Sequence, residues 1–305
     1  MRSIKLGTFS PSVLLSVAAA TGALAEAGLE VTEVPAKTSA HQFEDLFEGR
    51  LDAAFTNPDN ALAYRCVPGN PLGRTGDVRV LGAVDRGLGL GLFAAPGVAG
   101  PERGGRLGVD VPGSGFAFIA FELLARAGLV HDTDYEVVSL GSTPKRARAL
   151  VEGAVDTTVL NAGNDLVAEA QGARRVASVT EIGPYAGTVL CATADGIAAH
   201  RDALTALLTV TSAVARELAA GRHREVALAA VTDRLGLTGA SAERHLAILT
   251  DPAVGLVPDA RLTRAELDTV IHLRNRHSCA GTPVTAEEAL RSGLVDSSLL
   301  PLNGE

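Results

Sequence analysis

Leu46-Phe-Glu-Gly-Arg-Leu-Asp52, with Asn57 and Asn60 behind it, returns later in the chain as Leu150-Val-Glu-Gly-Ala-Val-Asp156, with Asn161 and Asn164 behind it. Both copies obey L-x-E-G-x-[LV]-D, then Asn five and eight positions after the Asp. The correspondence extends upstream. Leu6-Gly7 opens the first copy and Ala27-Gly-Leu29 closes its helix; Leu107-Gly108 and Ala127-Gly-Leu129 do the same in the second. Glu30-Val31 then matches Glu136-Val137. A single short match arises easily by chance, but order and spacing kept through successive elements mark an internal duplication.

Each copy reads as strand, helix, strand, helix, strand. Short apolar runs at Ile4–Leu6, Leu29–Val34 and Ala53–Phe55 predict buried strands, and Arg106–Val109, Tyr135–Ser139 and Thr157–Leu160 repeat them. Helical patterns lie between, over Val13–Ala27 and Phe116–Ala127, with Gly28 and Gly128 as C-caps. Alternating βαβ units build parallel sheets with helices on their faces, so two such units predict two α/β lobes. The apolar run Tyr185–Ala194 can return the chain to the first lobe. The remainder is mostly helical, with capping boxes at Thr263/Glu266 and Thr285/Glu288. The expected division is residues 1–91 with 191–305 as lobe one and 92–190 as lobe two. The two crossing strands are expected near Leu90–Phe93 and Val189–Ala192, with Gly87-Leu-Gly-Leu-Gly91 as a close backbone passage at the hinge.

The 305 residues carry a net charge of −8, 47% hydrophobic and 20% charged residues, enough for ordinary cores. An acidic balance without a Lys/Arg cluster argues against nucleic acid as a partner. No apolar run reaches the roughly 20 residues of a membrane span, so no membrane insertion is expected. Residues 4–29 read as strand and helix of lobe one rather than as a cleavable signal. The chain as given is therefore expected in the cytoplasm, or outside it if already processed. Cys66, Cys191 and Cys279 are too few and too scattered for a disulfide framework. Cys191, in an apolar run, reads as a small hydrophobe. His272, His277 and Cys279 match no metal-ligand spacing and read as a solvated helix end, so neither metal nor cofactor is expected.

In parallel sheets, ligands bind beyond the carboxyl ends of strands, where helix N-termini point. The repeat makes those places predictable. Ser10-Pro11 and Thr143-Pro144 carry a cap-then-Pro signal, Ser39 has Gln42 as a capping-box partner, and Ser114 precedes a helix in Pro112-Gly-Ser-Gly115. Unpaired N–H groups there favour an anionic ligand group. Asn57, Asp59 and Asn60 follow a third strand, as Asn161, Gly163 and Asn164 follow its twin; these offer neutral polar contacts or tight turns. Asp85 ends another run and can meet a cationic group or shape a loop. The expected ligand-binding set is thus Ser10, Ser39, Asn57, Asn60, Asp85, Ser114, Thr143 and Asn161. An anion is expected to be held mainly by helix N-termini and hydroxyls, not by a Lys/Arg clamp; Lys37, Lys145 and Arg146 lie near the expected caps, and Lys145 and Arg146 can as easily point into water. No nucleophile with an adjacent base is visible, and catalytic residues stay unassigned.

Leu46–Asn60, Leu107-Gly-Val-Asp-Val-Pro-Gly-Ser-Gly-Phe116, Leu150–Asn164 and Tyr185–Thr193 together resemble the type II periplasmic solute-binding superfamily, in its nitrate/sulfonate/taurine and thiamin-pyrimidine-synthesis branch. The resemblance implies two lobes closing on a small polar, anionic or heterocyclic metabolite, and delivery to an ABC permease. The alternative is a cytoplasmic enzyme of the same fold, lyase-like or biosynthetic. Asn60 and the solitary Cys191 stand where the fungal pyrimidine-synthesis proteins carry a substrate His and a Cys-rich stretch. The first cysteine, Cys66, comes too late for the nucleophile of the desulfinases.

Overall fold

Each copy of the duplication folds around its own five-stranded sheet in the computed structural model, which describes residues 1–278 and 283–301. The first copy comprises β1 (Arg2–Thr8), α1 (Val13–Ala20), α2 (Ala23–Glu26), β2 (Leu29–Pro35), α3 (Ser39–Phe47), β3 (Ala53–Thr56), α4 (Pro58–Cys66) and β4 (Val78–Asp85). The chain then crosses to β5 (Gly91–Ala94), β6 (Gly105–Val109), α5 (Gly115–Arg126), β7 (Tyr135–Ser139), α6 (Thr143–Val151), β8 (Thr157–Leu160), α7 (Asn164–Glu169) and β9 (Arg174–Ser178). It returns as β10 (Thr188–Thr193) and ends in the helices α8 (Ala194–Ala219), α9 (Arg224–Leu235), α10 (Gly239–Thr250), α11 (Arg264–His277) and α12 (Ala286–Arg291).

The sheets have the same plan, β2-β1-β3-β10-β4 and β7-β6-β8-β5-β9. In each, three parallel strands of the repeat are joined by one antiparallel strand that has just arrived from the other sheet. The register preserves the duplication: Leu6 and Gly7 lie opposite Ala53 and Ala54, as Leu107 and Gly108 lie opposite Thr157 and Thr158. Ala53–Thr56 and Thr157–Leu160 are buried throughout, as central strands covered on both faces must be.

The helix expected over Val13–Ala27 is two helices, because Gly22 takes a left-handed conformation (φ 82°) between α1 and α2. The crossings also differ. Gly91–Ala94 is already paired with β8 and β9, and Val189–Ala192 lies within β10, so the boundaries expected at 91/92 and 190/191 fall inside strands. The chain passes between sheets over residues 86–90 and 179–187. Those apolar runs are sheet interior, whereas glycines make the passage. A Cβ on Gly187 would lie 2.3 Å from the Gly87 backbone, so the two crossing segments touch where neither has a side chain.

The helical tail joins the two halves. One buried cluster takes in Phe43 of α3, Leu107 of β6, Leu123 of α5 and Ile271 of α11. Arg274 of α11 forms a bidentate ion pair with Asp59 of α4 (2.6 and 2.7 Å), its guanidinium 5.2 Å from the Phe118 ring centroid of α5. His272 is exposed. His277, expected at a solvated end, instead meets the buried Glu122 of α5 at 2.9 Å, because α11 packs along α5. Cys279 lies outside the described residues. Cys191 is fully buried and its thiol is pushed up to about 12 by desolvation, which makes it an inert core residue. Both expected capping boxes, Thr263/Glu266 and Thr285/Glu288, are formed. Among the described residues no single helix is long and apolar enough to cross a membrane; α8 and α9 reach that length only as a pair bent by 112°.

Candidate functional site

Helix starts from both halves meet at one concavity. The N-terminal ends of α1, α3 and α4 and those of α5 and α6 border a cavity of about 180 Å³, which α9 and α10 close with apolar side chains. All eight residues expected from the sequence line it: Ser10, Ser39, Asn57, Asn60, Asp85, Ser114, Thr143 and Asn161. Their local roles differ from the expectation in several places.

Three caps lie one or two residues away from the hydroxyls expected. Ser12, not Ser10, caps α1: it accepts from the Leu15 N–H, while its own N–H donates to Glu33 at 2.9 Å. Pro11 therefore precedes the cap instead of opening the helix. Thr38, not Ser39, caps α3 by accepting from His41 N–H. Gln42 makes no capping box; it is buried and its amide donates to Gly7 O and Phe55 O, tying β1 to β3. Ser39 instead stands 3.3 Å from the Tyr64 hydroxyl. At α6 the cap position is Ser142, and Thr143 Oγ1 accepts from Arg146 Nη2 at 3.1 Å. Adjacent hydroxyls look alike in sequence, and only the backbone's turn out of extended geometry selects between them.

Ser114 does cap α5, accepting from the Ala117 N–H at 3.1 Å and donating to Asp110. Asn57 caps α4 through Asp59 N–H and donates to the Tyr185 hydroxyl at 2.7 Å. Asn60 donates to Thr56 Oγ1. Asn161 donates to Gly87 O, which fastens the end of β8 to the first crossing. Asp85, between the two readings open for it, acts as a loop acid: it accepts from Gly87 N–H at 2.7 Å and from Thr188. Burial pushes its carboxyl up to about 6 against those hydrogen bonds.

The halves touch beside these groups. A Cβ on Gly115, at the start of α5, would come within 2.6 Å of Asn57 Oδ1 and 2.7 Å of Asp59 Cβ. Glycine is required there because two helix starts from different sheets approach at backbone distance.

Arg146, which could as easily have pointed into water, does not. Lys145 is exposed, but Arg146 is 1% exposed and lines the cavity. Its guanidinium donates to Gly141 O (2.6 Å), Thr143 Oγ1 and Val159 O, and Nε has no partner. Among the described residues no carboxylate contacts it. Desolvation pulls its pKa below the ordinary arginine value, and the nearby Asp110 charge pulls it back. The signal for its burial was present in sequence: Thr143, Arg146, Ala147 and Leu150 share one helical stripe, and the last two are apolar. His245 of α10 is the second residue that sequence reasoning missed. It is 1% exposed, borders the cavity, and leaves Nδ1 without a partner. Nothing local marks it, since it arrives from a distant part of the chain.

Two α/β halves with matching strand orders, exchanged antiparallel strands and a cleft at the helix starts define the type II periplasmic-binding-protein fold. The family model described as NMT1/THI5 like matches residues 103–220. Among solved structures, the chain is similar to the aliphatic sulphonate-binding protein SsuA of Escherichia coli, with a TM-score of 0.73 at 16% identity over 100% of this chain and 95% of that one. It is also similar to the alkanesulfonate-binding SsuA of Xanthomonas axonopodis pv. citri bound to MOPS, at 0.70 and 17% over 98% and 96%. The nitrate-binding NrtA of Synechocystis PCC 6803 gives 0.73 at 13% over 98% and 87%. At these identities the likeness is one of fold. No curated protein sequence matches the chain.

Proposed function

We propose that this chain is a solute-binding protein that closes on a small metabolite carrying an anionic group, with Arg146 as the cationic anchor and the N–H groups of the neighbouring helix starts as hydrogen-bond donors. The observation carrying this is the burial of Arg146 with no carboxylate in contact among the described residues, Asp110 acting only from a longer distance. A desolvated cation held only by carbonyls and a hydroxyl is costly unless something else compensates it, and an anion in the cavity does. N–H groups at helix starts add to the same preference. The eight cavity residues are thereby read as ligand contacts, Asp85 among them as a shaper of the wall.

Closure is read as rotation of two bodies, the described residues of 1–85 and 188–301 against 91–178, about the glycine-bearing crossings at 86–90 and 179–187. The apposition of Gly115 with Asn57 and Asp59 supports the described arrangement as the closed form. The sulfonate- and nitrate-binding neighbours named above support an ABC-type delivery role, with a permease as partner.

The test is calorimetry with ethane-, butane- and hexane-based sulfonates, phosphonates and carboxylates. Truncating one partner of a buried charge contact costs about 2–5 kcal/mol, so Arg146→Met should weaken binding roughly 30- to 5,000-fold. Ser114→Ala removes the α5 cap and the bond to Asp110 and should cost about 0.5–2 kcal/mol of stability, with a smaller effect on affinity than Arg146→Met. Lys145→Ala should leave affinity within about twofold, as an exposed charge does. Equal binding by wild type and Arg146→Met would overturn the reading.

A further inference from the structure

We infer that the ligand is elongated: its anion lies at Arg146, an apolar body follows, and its far end is a neutral hydrogen-bonding group read by His245. This rests on the reading of Arg146 above and adds the chemistry of the other end.

The cavity's polar groups gather mainly at the helix starts of both halves, with Asp85 beside Leu256. Ser114, Thr143 and Arg146 gather at the starts of α5 and α6, whereas Leu88, Leu235, Leu249 and Leu256 line the side closed by the tail helices. A small inorganic anion would satisfy the first side and leave the second facing empty space or water. An apolar wall against water forfeits about 25 cal/mol per Å², which a hydrocarbon body recovers.

Among the residues that the described tail helices bring to that wall, His245 is the polar one. His245 lies one helical turn before Leu249 on α10, and its Cε1 faces Gly163 at the start of α7, 3.7 Å from where a Cβ would stand. Desolvation lowers its pKa to about 4, so the ring is neutral and offers one donor and one acceptor. Nδ1 is buried with no hydrogen-bond partner. Buried polar groups are nearly always paired, and the few that are not call for an explanation. Other atoms of the same kind, such as Tyr135 Oη and Ser212 Oγ, lie away from the cavity; among the described residues, His245 and Arg146 are the two on its wall. A hydroxyl or amide on the ligand can serve either tautomer of the ring. A second anionic group at this end would meet leucines, a neutral imidazole and the Asp85 carboxyl, none of which compensates it.

Calorimetry on the intact protein tests this with hexanesulfonate, hexylphosphonate and hexanoate, each with a methyl or a hydroxyl terminus, beside the ethyl homologues. The six-carbon compounds should bind tighter than the ethyl ones. The hydroxyl-ended compound should exceed its methyl-ended partner by about 2- to 12-fold, the worth of one neutral hydrogen bond. His245→Phe should abolish or invert that preference while keeping the length dependence, and His245→Gln, which retains a donor and an acceptor, should keep it. A preference unchanged in His245→Phe, or affinity independent of length, overturns the inference and leaves the anion reading standing. If no anion of the panel binds wild type, the anion reading falls and this inference with it. Thermal unfolding of both variants controls for folding, and loss of binding in a folded His245→Gln counts against the inference.

Discussion

Arg274→Met should destabilise the protein more than any single surface change, and its size follows from the geometry. Arg274 is 6% exposed and Asp59 2%, and the pair is joined by two hydrogen bonds of 2.6 and 2.7 Å. Methionine keeps an apolar stem beside Phe118 but leaves the Asp59 carboxylate buried and uncompensated. Breaking such a pair by removing one partner costs about 3–5 kcal/mol. At roughly 2.1 cal/mol/K per residue, 305 residues unfold with an entropy of about 640 cal/mol/K, so each kcal/mol moves the midpoint by about 1.5 °C. The expected drop is therefore about 5–8 °C by scanning calorimetry at neutral pH. The double variant Asp59→Asn/Arg274→Met places a neutral amide against a neutral side chain and should recover most of the loss. A drop below about 2 °C for Arg274→Met, or a double variant as unstable as the sum of the singles, would refute the claim that a desolvated charge is at stake. The consequence reaches the site, because Asp59 is the second residue past the Asn57 cap and Arg274 braces α4 and α5 together.

Gly115→Val should keep the two halves from meeting, since even a Cβ would stand 2.6 Å from Asn57 Oδ1. Small-angle scattering should give a larger radius of gyration than wild type, and superimposable profiles would remove Gly115 from the contact. Asp85 binds a proton more tightly folded than unfolded, with a folded value of about 6 against 3.8, so its contribution is present at low pH and lost as pH rises through 6. From pH 4 to pH 7, wild type should therefore lose about 2 kcal/mol relative to Asp85→Asn in urea unfolding. A constant difference would mean that the carboxyl is not desolvated. The comparison is made against the variant because His245, lowered to about 4, acts in the opposite direction over the same range.

Much of the fold was legible because its signals are short-range. The strands at Tyr135–Ser139 and Thr157–Leu160 have the bounds the apolar runs predicted, and both capping boxes in the tail form, since a cap involves only four consecutive residues. The duplication then carried positional information from one sheet to the other, which is how Asn57 and Asn161 could be nominated together. Where neighbouring residues were chemically equivalent, the reading slipped: Ser10 for Ser12, Ser39 for Thr38, Thr143 for Ser142. Those slips did not move the site, because every one of these residues lies on the same turn at the same sheet edge.

From the sequence alone came the repeat, the βαβ order within each copy, and hence the edge at which the helix starts gather. Tertiary structure alone decided what that edge contains. Arg146 is buried because α6 packs its Ala147 and Leu150 face onto the second sheet, and that packing draws the guanidinium in with it. His245 reaches the cavity because the helical tail returns across both halves, and Arg274 finds Asp59 from 215 positions away for the same reason. Hydrogen-bond caps and hydrophobic periods act over a few residues and are written locally. The desolvation of a charge depends on every element that excludes water from it, and those elements are distant in the chain.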